Sequence, residues 1–223
     1  MNMRFIGITG GVGAGKSAIL SYLAEKPNTK VMLADEIAHD LMEPGTDCYK
    51  AIVEQFAGLD ILTDVSVEIT GGQENQIMDT SSGNAPCFDR VKLAQVIFSD
   101  ASRREQMNAI VHPAVKEFVR KQYALELEKN ELELLVLEAA LLIEEEYDEI
   151  CDELWYIYTS EENRRKRLKE SRGYSDEKID NIFRSQLNEA EFRASTQVTI
   201  DNNGDLEETM KQIEKALRRK ADE

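Results

Sequence analysis

The sequence predicts a three-layer α/β/α domain built on a five-stranded parallel sheet, with helical segments added to it. Three observations carry this. Short apolar runs alternate with stretches of helical periodicity, a pattern that places helices on both faces of a parallel sheet. A glycine-rich loop joins the first apolar run to the first helical stretch. The chain has 223 residues, enough for one α/β core with inserted lobes.

The elements follow in order. Arg4 to Thr9 reads as a buried strand, and Ala18 to Glu25 has apolar residues at helical spacing. Lys30 to Ala34 is a second strand that ends at Asp35. Helical patterns cover Glu36 to Met42 and Asp47 to Ala57, separated by the Pro44-Gly45 turn signal. Between about Leu59 and Cys87 the chain turns polar and loses periodicity, with a weak hairpin alternation over Val65 to Thr70. From Asp89 to Glu128 it is helical, with a break expected at His112-Pro113. Leu132 to Leu137 and Leu154 to Tyr158 are strands. Glu161 to Glu170 and Asp176 to Phe192 are helices, Gln197 to Ile200 is the last strand, and Asp205 to Arg219 is the closing helix.

Gly10 to Ser17 (Gly-Gly-Val-Gly-Ala-Gly-Lys-Ser) fits the pattern G-x-x-x-x-G-K-[ST] in full, in the strand–loop–helix context that pattern requires. Its glycines let phosphate oxygens approach the backbone. The N–H groups from Gly11, Val12, Gly13, Ala14 and Gly15 through Lys16, Ser17 and Ala18 are then read as an anion nest with a helix N-terminus behind it. Lys16 is expected to reach the β- and γ-phosphates of a bound nucleotide, and the Ser17 hydroxyl to hold Mg²⁺.

In a parallel sheet, ligands gather at the carboxyl ends of the strands. That rim is expected to collect the loop, Asp35, Glu138 and the segment Asp201-Asn202-Asn203-Gly204. Asp35 is a candidate proton acceptor or Mg²⁺ partner, with a helix N-cap as its plain structural alternative. Glu138, after an apolar strand, is placed to hold Mg²⁺ through water. Arg164, Arg165, Lys166, Arg167, Lys169 and Arg172 concentrate positive charge late in the chain. Phosphoryl transfer needs such charge, and Arg167 and Arg172 are the leading catalytic candidates on a closing lid. His112-Pro113 is read either as packing or as part of an acceptor pocket.

Composition narrows the class. Lys and Arg total 27 against 43 Asp and Glu, a net charge of −16. This argues against a general nucleic-acid binder, which needs a basic face, and leaves one locally bound nucleotide possible. Cys48, Cys87 and Cys151 are scattered and only two His residues occur, so neither a disulfide framework nor a structural zinc site is expected. No apolar run is long enough to span a membrane, and the first strand begins too early for a signal peptide. A soluble cytoplasmic protein is expected, as a monomer or small homo-oligomer.

Further segments extend the pattern. Thr9 to Ser17 is followed by Leu33-Ala34-Asp35, Ile37-Ala38 and Glu43-Pro44-Gly45. Asp89 to Phe98, Asn108 to Pro113, Ala140 to Glu144, Arg167-Leu168, Gln186 and Ile200 to Gly204 come after, in register. Together they resemble the dephospho-CoA kinases, over nearly the whole chain. The resemblance implies a P-loop NTPase fold with a helical substrate-binding lobe over about 46–129 and a helical lid over about 163–193. The core then covers about 1–45, 130–162 and 194–223. It implies transfer of the ATP γ-phosphoryl group to the ribose 3′-hydroxyl of dephospho-CoA, with Asp35 as the acid–base residue. On this resemblance His39, Arg90, His112, Pro113, Leu141 and Glu144 fall to the acceptor side, and Asn202, Asn203 and Gly204 lie near adenine. The sequence departs from the family pattern in Leu33, which stands for the first Asp of D-A-D, in Ala140, which stands for Pro, and in the second lid arginine, shifted by one to Arg172.

Two other readings share the loop. Another small-molecule P-loop kinase would use a different acceptor. A regulatory GTPase is disfavoured because no N-K-x-D base-reading motif occurs and Asp201 to Gly204 stands near the C-terminus.

Overall fold

The computed structural model describes residues 3–63 and 86–219. These fall into two compact units, one formed by Met1–Ala34 with Arg120–Glu223 and the other by Asp35–Val119.

The first unit holds a five-stranded sheet in the order β2-β3-β1-β4-β5, every neighbouring pair parallel. Its strands are β1 (Arg4–Thr9), β2 (Thr29–Leu33), β3 (Leu134–Glu138), β4 (Glu153–Tyr158) and β5 (Val198–Asp201). Chain order reverses direction about β1, so the crevice beyond its carboxyl end is the switch point of the sheet. Period two sorts the side chains. On one face Ile6, Ile8, Leu134, Val136, Trp155 and Ile157 form a core with Ile19, Leu20 and Leu23 of α1 (Lys16–Ala24) and with Ile213 and Ala216 of α9 (Leu206–Arg218). The alternate residues Phe5, Leu135, Leu137 and Leu154 are equally buried, so the middle of each central strand is apolar on both faces, as a doubly covered sheet requires. Phe5 stacks on Tyr123 at 5.0 Å, and Tyr156 of β4 stacks on Phe192 of α8 (Glu189–Ala194) at 4.6 Å.

Two helices expected as one are separate. The stretch from Asp176 divides into α7 (Asp176–Arg184) and α8, because Asn188 and Glu191 form a capping box that starts a new helix. α6 (Glu161–Arg172) begins at the Ser160 cap and ends on Gly173, whose φ of 62° is left-handed.

The second unit carries α2 (Ala34–Leu41), α3 (Asp47–Gln55), α4 (Arg90–Phe98) and the first part of α5 (Ala101–Lys129). Thr46 caps α3 and Asp89 caps α4 through side-chain oxygens. An isolated antiparallel bridge pairs Leu62 with Phe88, and Tyr49 packs on Phe88 at 4.9 Å. The expected helix break is displaced. It falls at Ser99–Asp100, where Asp100 accepts from the Ser102 amide, and α5 runs unbroken through Pro113. A proline inside a helix costs about 3 kcal/mol. Met107, Val111, Val115 and Val119 form a buried stripe at i, i+4 spacing, and its burial offsets that cost. The weak hairpin expectation over 65–70 lies outside the described residues.

Candidate functional site

The loop between β1 and α1 is built by its neighbours as much as by its own residues. Gly15 occupies the position before α1 with φ 85°, a left-handed conformation that a side chain disfavours. A Cβ there would also lie 2.5 Å from Asn202 Nδ2. The α1 N-terminus leaves its first amides without intrahelical partners, and Ser17 and Ala18 are exposed there.

The carbonyl of Ala14 is the anchor. It accepts from Asn202 Nδ2 at 2.7 Å, Thr159 Oγ1 at 3.0 Å and Arg167 Nη1 at 3.2 Å. Asn202 is buried, and its own carbonyl oxygen Oδ1 accepts from Thr209 Oγ1 at 3.0 Å. Its position follows from β5, since the Asn202 amide continues the strand by donating to Tyr158 at 2.8 Å. Arg167 Nη2 donates to the Asn202 main-chain carbonyl at 2.7 Å. Asn203 Oδ1 accepts from the Ser160 amide at 2.8 Å and from Asn163 Nδ2 at 2.9 Å, fixing the start of α6. The last strand, α6 and the phosphate loop thus meet at one point.

Lys16 folds back along the loop. Its Nζ donates to the Gly10 carbonyl at 2.6 Å and stands 3.5 Å from Glu138 Oε1. The sheet register explains the second contact, because Glu138 pairs with Ile8 on one side and Leu33 on the other. Glu138 is the final residue of β3, rather than the residue after it. Asp35 also moves inward by one element. β2 ends at Leu33 and α2 starts at Ala34 with no turn between, so Asp35 sits exposed in the first turn of α2 and is not its cap. An acid there is favoured by the helix dipole.

The arginines of α6 separate by helical phase. Arg164 and Arg167 turn to the loop. Arg165 pairs with Asp176 and Asp180 on α7, and Arg172 is exposed with its guanidinium 5.8 Å over the Tyr174 ring. Of the two arginines singled out from the sequence, Arg167 reaches the loop and Arg172 contacts Tyr174 at the far end of the helix. Arg164, Thr159 and Asn163 were missed as site residues. Arg164 was visible only as one cation in a basic run, and Thr159 and Asn163 offered no local signal.

On the second unit Arg90 at the start of α4 lies against the His39 ring nitrogen. Both line a cavity of about 290 Å³ with Met42, Glu43, Phe88 and Leu93. His112 and Pro113 lie together on α5 and do not line that cavity. Leu141 and Glu144 belong to the first unit, exposed on the turns that follow β3.

A five-stranded parallel sheet in this order, with a complete glycine–lysine–serine loop at its switch point and an arginine-bearing helix upon it, defines a P-loop kinase. The comparisons narrow the class. A family model described as dephospho-CoA kinase matches residues 4–208. The dephospho-CoA kinase of Shouchella clausii is 32% identical over 98% of this chain and 99% of its own length. That of Geobacter sulfurreducens is 32% identical over 95% and 96%. Among solved structures, TT1252 from Thermus thermophilus superposes with a TM-score of 0.68 at 26% identity, covering 97% of both chains. A dephospho-CoA kinase from Campylobacter jejuni shares the fold with a TM-score of 0.65 at 18% identity, over 97% of this chain and 96% of its own. The chain belongs to the dephospho-CoA kinase family.

Proposed function

We infer that this chain transfers the γ-phosphoryl group of ATP to the ribose 3′-hydroxyl of dephospho-CoA, giving CoA and ADP, the closing step of coenzyme A synthesis. The observation that carries this is family membership across residues 4–208 together with a complete phosphate loop at the β1–α1 junction.

The reaction forms one P–O bond to the 3′-oxygen and breaks the bond between the γ-phosphorus and the β–γ bridging oxygen, so little covalent chemistry falls to the protein. Lys16 exchanges the Gly10 carbonyl and Glu138 for phosphate oxygens and neutralises the charge that shifts as the bond breaks. Asp35 accepts the 3′-hydroxyl proton. This assignment is supported by the match of Ala34-Asp35 to the last two residues of the family's D-A-D, with Leu33 in place of the first Asp, and by the exposure of Asp35 two residues beyond β2. Asn202, Asn203 and Gly204 border the nucleotide base, and the cavity holding His39 and Arg90 serves the acceptor side.

The reading includes Mg²⁺, which the Ser17 hydroxyl and Glu138 would hold and which would offset phosphate charge during transfer. Among the described residues no cluster of three or more His, Cys, Asp or Glu forms a metal cage. Mg²⁺ in kinase sites takes one or two protein oxygens and fills the rest from phosphate and water, which the Ser17 hydroxyl and Glu138 suit. The segment 163–193 is read as a lid that excludes water from the γ-phosphate, and 46–129 as the acceptor lobe. No helix among the described residues is long and apolar enough to cross a membrane.

The test is ADP release from ATP and Mg²⁺ with and without dephospho-CoA, beside CoA formation by mass. One CoA per ADP is expected. ATP binding without CoA formation sinks the acceptor assignment and redirects the search to nucleosides and nucleotides.

A further inference from the structure

Only two residues of α6 are buried, Leu168 and Arg164, and Arg164 is 8% exposed. Its guanidinium is held by two hydrogen bonds and packed against a ring and a glycine. Nε donates to the Val12 carbonyl at 2.9 Å, and Nη2 donates to Gln186 Oε1 at 2.6 Å. The same Gln186 oxygen accepts from the Val12 amide at 3.2 Å. Both polar groups of Val12 are therefore gripped, one by each partner. Beneath, the guanidinium lies 4.3 Å from the centre of the Phe183 ring. Above, it presses on Gly11, where a Cβ would come within 2.3 Å of Cζ.

This arrangement is costly for its own sake. Burial disfavours the charged form and pushes the Arg164 pKa down, though an arginine stays protonated. Among the described residues no carboxylate stands within 4.0 Å of it. Glu161, three residues earlier on α6, favours the charged form without pairing to it, and buried groups perturbed in this way gather at functional sites. Here the neighbouring ligand is a polyphosphate, and the atoms that Arg164 and Gln186 hold are those of the loop that receives it.

We propose that Arg164 and Gln186 form a clasp that sets the shape of the Gly11–Val12 segment for nucleotide binding, with Arg164 a positioning residue that acts through the loop. Two features of this chain make arginine the fitting residue. The acceptors, Val12 O and Gln186 Oε1, are reached by different nitrogens of one planar group. The same plane stacks on Phe183 and fits against a glycine. A lysine ammonium keeps the charge but has neither the plane nor the second direction.

The inference rests on the reading that Gly10 to Ser17 binds ATP, so the first measurement is ADP binding by the native chain in calorimetry. No binding there sinks that reading. With native binding established, ADP affinity is compared in Arg164→Ala, Arg164→Lys, Gln186→Ala and the double Arg164→Ala/Gln186→Ala. Each single variant is expected to weaken ADP by about tenfold or more. The double variant is expected to lose no more than the worse single one, since both residues act on Val12 and on each other. In turnover, KM for ATP rises while KM for dephospho-CoA stays put. Should Arg164→Ala fail to fold, Arg164→Lys and Gln186→Ala carry the comparison. Unchanged ADP affinity in folded variants that only melt earlier overturns the clasp. So does full recovery by Arg164→Lys, or additive losses in the double variant.

Discussion

The side-chain amide of Asn202 donates to the main-chain carbonyl of Ala14 across 2.7 Å, joining the last strand of the sheet to the phosphate loop that follows the first. The two residues are 188 positions apart, and the bond is buried. Asn202→Ala removes the buried bond to Ala14 and one of three acceptors of the buried Thr209 hydroxyl, which also reaches the Asp201 and Asp205 carbonyls. A loss of about 1–3 kcal/mol in stability is expected, since buried partners are left unmade. The same variant should raise KM for ATP more than it changes kcat, because the anchor shapes the binding loop. Thermal unfolding beside steady-state kinetics measures both.

Lys16→Ala and Asp35→Asn should differ in kind. Both are expected to lower turnover, each on the order of 100-fold or more. Lys16→Ala also weakens ATP, since the ammonium serves bound nucleotide as well as the transition state. Asp35→Asn leaves nucleotide affinity close to native, because the amide changes proton acceptance and not the loop. Near-native turnover in Asp35→Asn removes it as the proton acceptor.

Glu126 near the end of α5 provides a pH test of stability. Its buried carboxylate accepts from Lys30 Nζ at 2.8 Å and Lys129 Nζ at 3.1 Å, and these bonds hold its pKa below the usual glutamate range. A carboxyl depressed in the folded state adds stability above its unfolded pKa and loses it as pH falls through the folded one. Glu126→Gln should therefore melt below the native chain at neutral pH. The gap should narrow as pH drops under about 4.5. A gap independent of pH between about 7 and 3 contradicts the ion-pair origin.

The three thiols should separate by burial. Cys87 is exposed, whereas Cys48 and Cys151 are buried, and burial pushes the Cys151 thiol up to about 12 and raises Cys48 as well. Reaction requires access and the thiolate. Alkylation of the native protein at mildly alkaline pH is expected at Cys87 first, with Cys48 and Cys151 protected until denaturant is added. Mass mapping of the labelled peptides decides it. Fast native labelling at Cys151 contradicts the packing around β4.

What was legible in the sequence was local. Five apolar runs declared five strands, because a residue buried on both faces of a sheet must be apolar in either phase. The run Gly10 to Ser17 declared its loop, because left-handed dihedrals and close phosphate approach leave glycine, and Lys and Ser are the side chains such a loop uses. Asn188 with Glu191 held the signal for a new helix, yet the polar stretch before it has no proline or glycine to mark the stop. Pro113 gave the opposite error. Its local penalty is real, and the buried stripe of Met107, Val111, Val115 and Val119 outweighs it.

The sequence by itself determined the fold class, the family and the loop that meets phosphate, because periodicity and dihedral preference are properties of neighbours along the chain. Tertiary structure alone decided which cations serve that loop. Arg164 and Arg167 reach it while Arg165 and Arg172 do not, since helical phase and the placing of α6 against Gly11, Ala14 and Asn202 sort four identical side chains. It also decided that Gln186 shares the main chain of Val12 with an arginine 22 residues earlier. Such contacts depend on distances between elements, and no spacing of letters encodes a distance that only packing creates.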